Sequence, residues 1–244
     1  MIGCRCAVCT SADPRNRRRR TSVYLAAGTS RILVDVPPDF REQALTFNVP
    51  RVDAVLFTHA HADHVFGFDD IRRFNTIQGG SIPVYAQRET LAEVRRIFNY
   101  VETAPKAGLY KPLAEFRVVD GGFMVGDVRA TPLPVEHGGG QACGFRFDWE
   151  RRSVGFVPDC HTMPDAAVER LRGVDVMVLD ALRYKPHATH FTVAESLDCL
   201  ARIGAPRAYL IHLCHDLDHE RLSRELPAGV GVSYDGLVIE IGSS

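Results

Sequence analysis

The stretch Thr58-His59-Ala60-His61-Ala62-Asp63-His64 decides the reading of this chain. Four side chains able to ligate a metal fall within six residues there, directly after the apolar run 52–57, which reads as a buried strand. Imidazoles and a carboxylate crowded in this way are costly to hold together unless a cation binds them. A divalent metal, or a pair of them, is therefore expected on this loop. Ligands seated on a rigid strand end lose little entropy when they gather.

The pattern recurs. His137 follows the strand candidate 128–135, Asp159 follows 153–157, and His212 follows 208–211. One histidine after one strand is most simply a core or surface residue. The same arrangement at three strand ends, beside a dense cluster, points to a shared centre. Imidazole and carboxylate donors suit zinc, with manganese and iron as alternatives. Two ions about 3.5–4 Å apart can share a water and bring its pKa to about 7, which makes such a centre hydrolytic. A closed structural site would carry four cysteine or histidine donors instead.

The rest of the chain sets the frame. Its 244 residues, 45% hydrophobic and 24% charged, suffice for a globular domain with a sizeable core. A formal net charge of -1 supplies no global field toward nucleic acid or lipid. No apolar run reaches the length of a membrane span, and the first residues lack a signal-peptide core. A cytoplasmic protein is expected, its seven cysteines reduced or metal-bound rather than paired.

Short strands alternate with helices. Strands are expected at 22–26, 31–36, 52–57, 82–85, 128–135, 153–157, 174–179 and 208–211, with a closing hairpin of 232–234 and 237–241 around Asp235-Gly236. Helices are expected at 88–98, 164–171, 193–203 and 218–225, with Pro164 in a first turn and Thr192 as a cap. Residues 101–112, with two prolines and a glycine, read as a loop, in the position of a lid. Such mixing suggests layered sheets covered by helices.

A second donor cluster opens the chain. Cys4, Cys6 and Cys9 form a C-x-C-x2-C knuckle, which cannot pair internally without leaving one thiol over. A zinc thiolate site is the economical answer, with His215, His219 or Cys214 as fourth ligand. The run Arg15, Arg17, Arg18, Arg19 and Arg20 reads as a solvated loop, with phosphate or RNA contact as the alternative. Arg72, Arg73 and Arg183 are further candidates to clamp a phosphate. Cys160 reads as a small buried residue or one at the site rim, Cys143 and Cys199 as core cysteines.

These residues carry a resemblance to the metallo-β-lactamase superfamily. Asp35 after 31–34, the run His59/His61/Asp63/His64, then His137, Asp159 and His212 are similar to its five motifs in order. The resemblance implies an α/β fold, a four-layer αββα sandwich, with residues 1–244 as one metallo-hydrolase domain bearing a knuckle at 4–9. It implies that His59, His61 and His137 hold one ion, that Asp63, His64 and His212 hold the other, and that Asp159 bridges them. Asp35 resembles the motif that braces the ligand loop by hydrogen bonds.

Within the superfamily the chain resembles the phosphonate-pathway cyclic phosphodiesterase (PhnP-like) branch. The match lies in Gly3-Cys4-Arg5-Cys6-Ala7-Val8-Cys9, Asp39-Phe40-Arg41 with Gln43, the ligand run, and His212-Leu213-Cys214-His215. That branch implies a structural zinc on the three cysteines and His215. It also implies a histidine that protonates the leaving oxygen, here His190, with His187 as the alternative donor or a substrate contact. Members of the branch carry a strand and a Gly/Ser-rich turn before the knuckle, whereas here Gly3 stands almost first.

The expected function is metal-dependent hydrolysis of a phosphodiester, of the class of 5-phosphoribosyl 1,2-cyclic phosphate, by a metal-bound hydroxide, with Asp63 and His190 as catalytic residues. The expected cofactors are two divalent ions, zinc or manganese, plus one structural zinc. A small phosphodiester is the expected partner, with nucleic acid or a second copy of the chain as further ones. The competing readings are an endonuclease like the tRNA 3′-processing enzymes, a lactonase or thioesterase, and a non-catalytic zinc-stabilised nucleic-acid-binding protein.

Overall fold

The computed structural model describes residues 1–104 and 110–242. They divide into two compact units, Arg20–Pro132 and Met1–Arg19 together with Leu133–Ser244.

In Arg20–Pro132, β1 (Val23–Ala27) and β2 (Ser30–Val34) form an antiparallel hairpin with Val23 opposite Val34. Strands β3 (Ala54–Leu56), β4 (Ile82–Ala86) and β5 (Ala114–Val118) follow in the order β1-β2-β3-β4-β5, and β2 to β5 are parallel. Parallel neighbours need a crossover. It is supplied by α1 (Phe40–Thr46), by α2 (Ala62–Val65) with α3 (Arg72–Gln78), and by α4 (Arg88–Ile97). Leu33, Val55, Phe57, Phe68, Val84 and Leu91 belong to the core of this unit. Strand β6 (Phe123–Val125) pairs antiparallel with the start of β7 (Val128–His137).

The other unit contains β8 (Gly140–Trp149), β9 (Arg152–Val157), β10 (Val176–Asp180), β11 (Arg207–Ile211) and β12 (Val230–Val232), ordered β12-β11-β10-β9-β8. Strands β9 to β12 are parallel and β8 is antiparallel to β9. The crossovers are α5 (Asp165–Leu171), α6 (Val193–Ile203) and α7 (His219–Glu225). All five residues of β10 are buried, as expected of a strand covered on both faces. Val157, Leu171, Leu179, Leu200, Leu210 and Leu222 belong to the core here.

Parallel order matters for chemistry, because in each unit it brings the carboxyl ends of the strands to one edge, where open α/β sheets place their ligands. Asp35 follows β2, His59 follows β3 by three residues, Asp159 follows β9 by two, Asp180 ends β10 and His212 follows β11.

Eight expected strands and four expected helices form within about two residues at either end, the usual scatter of helix and strand boundaries. Thr192 caps α6 in a reciprocal box: its Oγ1 accepts from the Glu195 amide at 3.2 Å, and Glu195 Oε2 accepts from the Thr192 amide at 2.7 Å. Pro164 stands one residue before α5 rather than inside it. Strands β5, β6 and β8 and helices α1 to α3 were not expected.

The closing hairpin does not form. Residues 230–232 pair parallel to β11, and 237–241 take up no strand. The Asp235-Gly236 turn itself is present, with Leu237 N donating to Tyr234 O at 3.1 Å. Only Gly236 in it has a positive φ, 86°, which gives a turn of type II sense. That sense splays flanking strands, whereas the hairpin turns need a positive φ at the first central residue. The lid expected over 101–112 falls in part on 105–109, which lie outside the described residues. Among the described residues no helix is long and apolar enough to cross a membrane.

Candidate metal centre

The ligand loop of Arg20–Pro132 is built around Asp35, which is fully buried. Its carboxylate accepts from Thr58 N at 2.9 Å, from Thr58 Oγ1 at 2.8 Å and from His64 Nδ1 at 2.8 Å. Burial pushes the Asp35 carboxyl up, and His64 and the Thr58 donors pull against it. The brace expected of Asp35 is thus what its contacts provide. The ligand helix is also stitched to the chain after β2, with Val36 N donating to His64 O at 2.7 Å and Gly67 N to Val36 O at 2.9 Å. A Cβ on Gly67 would lie 2.0 Å from Pro37 O, so only glycine permits this approach.

Proton accounting orients the rings. The Asp35 carboxylate accepts, so His64 Nδ1 carries its hydrogen and Nε2 keeps the lone pair. Thr58 Oγ1 gives its proton to Asp35, so at 3.0 Å it accepts from His59 Nδ1, which leaves the lone pair of His59 on Nε2. That Nε2 stands 2.9 Å from His61 Nδ1. Two nitrogens on one ion at about 2.1 Å stand roughly 3.0–3.4 Å apart. Asp63 lies in the first turn of α2, with Arg20 Nη1 3.4 Å from its Oδ2. Arg20 is itself clasped, its amide donating to Asp39 Oδ2 at 2.8 Å and its carbonyl accepting from Gln43 Nε2 at 2.8 Å.

The other unit gathers His137, Asp159, His190 and His212. His137 Nδ1 donates to Thr189 O at 2.7 Å, so its Nε2 lone pair is the one 3.5 Å from Asp159 Oδ2. His212 Nε2 is 3.5 Å from Asp159 Oδ1. Asp159 therefore turns one oxygen to each histidine, the disposition of a bridging carboxylate. A nitrogen and an oxygen on a shared ion stand about 3.3–3.5 Å apart, so the donor set fits a divalent metal. His212 takes a left-handed backbone with φ 60°, as Asp35 does with φ 61°.

His190 is held by a residue that the sequence reading did not single out. Its Nδ1 donates to Asp180 Oδ2 at 2.9 Å, and its Nε2 lies 3.9 Å from Asp159 Oδ2. The ring stacks on His212 with centroids 4.7 Å apart. Asp180 is fully buried and also accepts from Cys160 N at 2.9 Å. Burial pushes its carboxyl well up, against the pull of His212. His187, half-buried, accepts on Nδ1 from Thr189 Oγ1 at 3.1 Å, with its ring 5.3 Å from that of His190. Burial lowers its pKa.

The knuckle forms a separate set. The donor atoms of Cys4, Cys6, Cys9 and His215 all lie within 4.8 Å of one another. Cys4 Sγ and Cys6 Sγ are each 3.5 Å from His215 Nδ1. A tetrahedral zinc with sulfur at about 2.3 Å and nitrogen at about 2.1 Å separates the two by roughly 3.6 Å, so these residues fit zinc. The Cys9 amide, with His215 beside it, holds the Cys6 thiol down at about 6. The two competitors stand elsewhere: His219 is buried with its ring 5.6 Å from that of Tyr234, and Cys214 is outside the cluster.

Four of the five arginines of the run have partners. Arg15 pairs with Asp13 and Glu220, Arg18 with backbone carbonyls, Arg19 with Asp235 and Arg20 with Asp63. Arg72 pairs with Asp69, and Arg183 donates to the carbonyls of Lys185 and Pro186. Cys143, Cys160 and Cys199 are all buried.

Residues 30–213 match the beta-lactamase superfamily domain. The chain belongs to this superfamily. It is 35% identical over 242 residues to an octanoyltransferase of Porphyromonas gingivalis, an alignment covering 97% of this chain and 48% of that protein. The chain thus spans about half the length of that relative. It is similar to a crystal structure described as a new diphosphatase from the PhnP family, with TM-score 0.90 and 39% identity over 99% of this chain and 92% of that one. Human tRNase Z, short form, shares the fold at TM-score 0.71 and 18% identity, covering 96% of each chain. The fold is the superfamily's α/β sandwich of type αββα, and the branch it resembles is the PhnP family.

Proposed function

We propose that this superfamily member hydrolyses phosphodiesters, cyclic ones of the 5-phosphoribosyl 1,2-cyclic phosphate class included. By the family's motifs, His59, His61 and His137 hold one divalent ion, Asp63, His64 and His212 a second, and Asp159 both, with zinc or manganese as the metal. A zinc on Cys4, Cys6, Cys9 and His215 completes the proposed set. When bound, the active-site ions lower the pKa of water and neutralise charge developing on phosphoryl oxygens.

The observation that carries the reading is the pair His190–Asp180. A buried imidazole is fixed by a carboxylate on one nitrogen, and its other nitrogen faces Asp159 at 3.9 Å. Asp180 stabilises the protonated ring and keeps Nε2 aimed, so that His190 can deliver a proton to a departing alkoxide oxygen. Such help matters most for poor leaving groups such as sugar oxygens. Asp63, with Arg20 Nη1 3.4 Å from its Oδ2, is the second proposed catalytic residue, and half-buried His187 is suited to contact the alcohol portion.

The likeness to a PhnP-family diphosphatase supports phosphoryl chemistry and favours a second substrate form, a P–O–P bridge cleaved by the same residues. The test is a panel with the zinc- and manganese-loaded protein: bis-p-nitrophenyl phosphate, 2′,3′-cyclic nucleotides, a ribosyl 1,2-cyclic phosphate and dinucleoside diphosphates, against lactones, thioesters and tRNA. Turnover of a lactone or thioester with none of any phosphoryl ester would sink the proposal. Loss of turnover in Asp63→Ala separates an enzyme from a binding protein.

A further inference from the structure

Residues 11–18, the arm after the knuckle, hold a side chain with no part in the proposed chemistry. Arg18 is half-buried, and its Nη1 donates to Cys214 O at 2.8 Å while Nη2 donates to Leu217 O at 2.7 Å and to Asn16 Oδ1 at 3.2 Å. Buried Asn16 donates to Asp218 Oδ2 at 2.8 Å and accepts from the His219 amide at 2.9 Å. Asp218 in turn caps α7, accepting from Arg221 N at 3.0 Å. The arm therefore grips the segment 214–219 through both its carbonyls and its helix start.

The turn that leads from β11 into that segment carries two histidines that point to different places. His212, in left-handed backbone, faces Asp159, and His215 faces Cys4 and Cys6. Only Leu213 and Cys214 separate them. The Cys214 amide is tied to Leu182 O at 2.9 Å, and its carbonyl is tied to Arg18. The peptide groups between the two donor sets are thus anchored on one side by Leu182, just after β10, and on the other by a guanidinium. A planar fork with several donors can hold two carbonyls at a fixed separation, which a single ammonium cannot.

We propose that Arg18 is a positioning residue that couples the two donor sets: by fixing the turn from Cys214 to Leu217 it keeps His212 turned to Asp159 while His215 serves the cysteines. The inference rests on the reading of His212 as a metal ligand and is independent of which ester is cleaved.

The test is metal binding by full-length Arg18→Met and Arg18→Lys, with wild type and His212→Ala as references, using cobalt(II). Thiolate-to-cobalt absorption reports the cysteine set, and elemental stoichiometry with chelator competition reports the histidine–aspartate set. The expected result is an unchanged thiolate band in Arg18→Met with one histidine–aspartate ion bound about 10–100-fold more weakly, the size typical of lost support behind a ligand, and partial recovery in Arg18→Lys. If Arg18→Met does not fold, Arg18→Lys against wild type carries the same comparison. Wild-type affinity in these variants, or equal weakening of every ion in step with thermal stability, overturns the coupling alone. A wild-type protein that takes up cobalt only at the cysteines overturns the coupling and the ligand reading together.

Discussion

On the proposed reading the cysteine set and the histidine–aspartate set would each hold a divalent ion, and they are built in opposite ways. In the first, four donors come from two loops, and the sulfurs are steadied by nearby main-chain nitrogens, Cys6 N to Cys4 Sγ at 3.5 Å, Cys9 N to Cys6 Sγ at 3.4 Å and the Met1 amino group to Cys9 Sγ at 3.1 Å. Each donor serves that set alone, as in a closed structural site. In the second, four of the rings have a partner behind them: Asp35 behind His64, Thr58 behind His59, Thr189 O behind His137, and Asp180 behind His190. Such backing fixes tautomer and direction, which a purely structural ion does not require. On the proposed reading, the contrast separates a clasp from a reactive centre.

The sharpest way to break that contrast is Asp159→Ala. Because this carboxylate faces both His137 and His212, its loss should abolish hydrolysis and release active-site metal while the cysteine set keeps its ion; elemental analysis with a turnover assay reads both. Next in size is His190→Ala, expected to lower kcat by about 10²–10⁴-fold on alkyl esters and far less on p-nitrophenyl esters, whose leaving group needs no proton. Asp180→Asn should follow the same leaving-group pattern at about 10–100-fold. Smaller for catalysis but large for stability is Cys6→Ser. At saturating metal it should leave kcat/KM within about tenfold and lower Tm by on the order of 10 °C, as expected when a site that contributes folding energy is opened.

The smallest effects concern the helices that follow each set. Thr192→Ala removes the cap of α6 beside His190 and should cost about 1 kcal/mol in denaturant unfolding. Asp218 caps α7 beside His215, and the Arg221 amide with Asn16 holds its carboxyl below the ordinary 3.8. A depressed folded value means that the stabilisation is present above the ordinary value and is lost as pH falls through the folded one. The Tm of Asp218→Asn should thus differ from wild type at pH 6, and the difference should shrink steadily as pH falls below 3.8. Persistence of the difference in acid would exclude the charge as its source.

The donor residues that the structure gathers were legible because dense histidine and carboxylate after apolar strands is rare without a cation. The knuckle was legible for the same reason, from three thiols in six residues. Asp180 was not: a lone aspartate ending an apolar strand has no spacing partner in sequence, and its role exists only because residues 181–190 fold back over β10. Strand β8 escaped because Gly140–Trp149 lacks a clean alternation, with four consecutive buried residues from Ala142 to Phe145. The false hairpin came from the dipeptide Asp235-Gly236, whose turn forms while β11 takes the strand that it was expected to pair. Arg18 could not be told from its neighbours, since five arginines in a row of six carry no mark of which one is buried.

Asp35 and His212 share one further property, a left-handed backbone at residues that are not glycine. Conformations of this kind cost on the order of 1–3 kcal/mol and persist only where the surroundings impose them. Glycine would adopt either conformation freely but would delete a brace or a ligand. Selection for robustness and selection for chemistry therefore pull against each other at these two positions. On the proposed reading, a lineage that lost the reaction would be free to drift to glycine there.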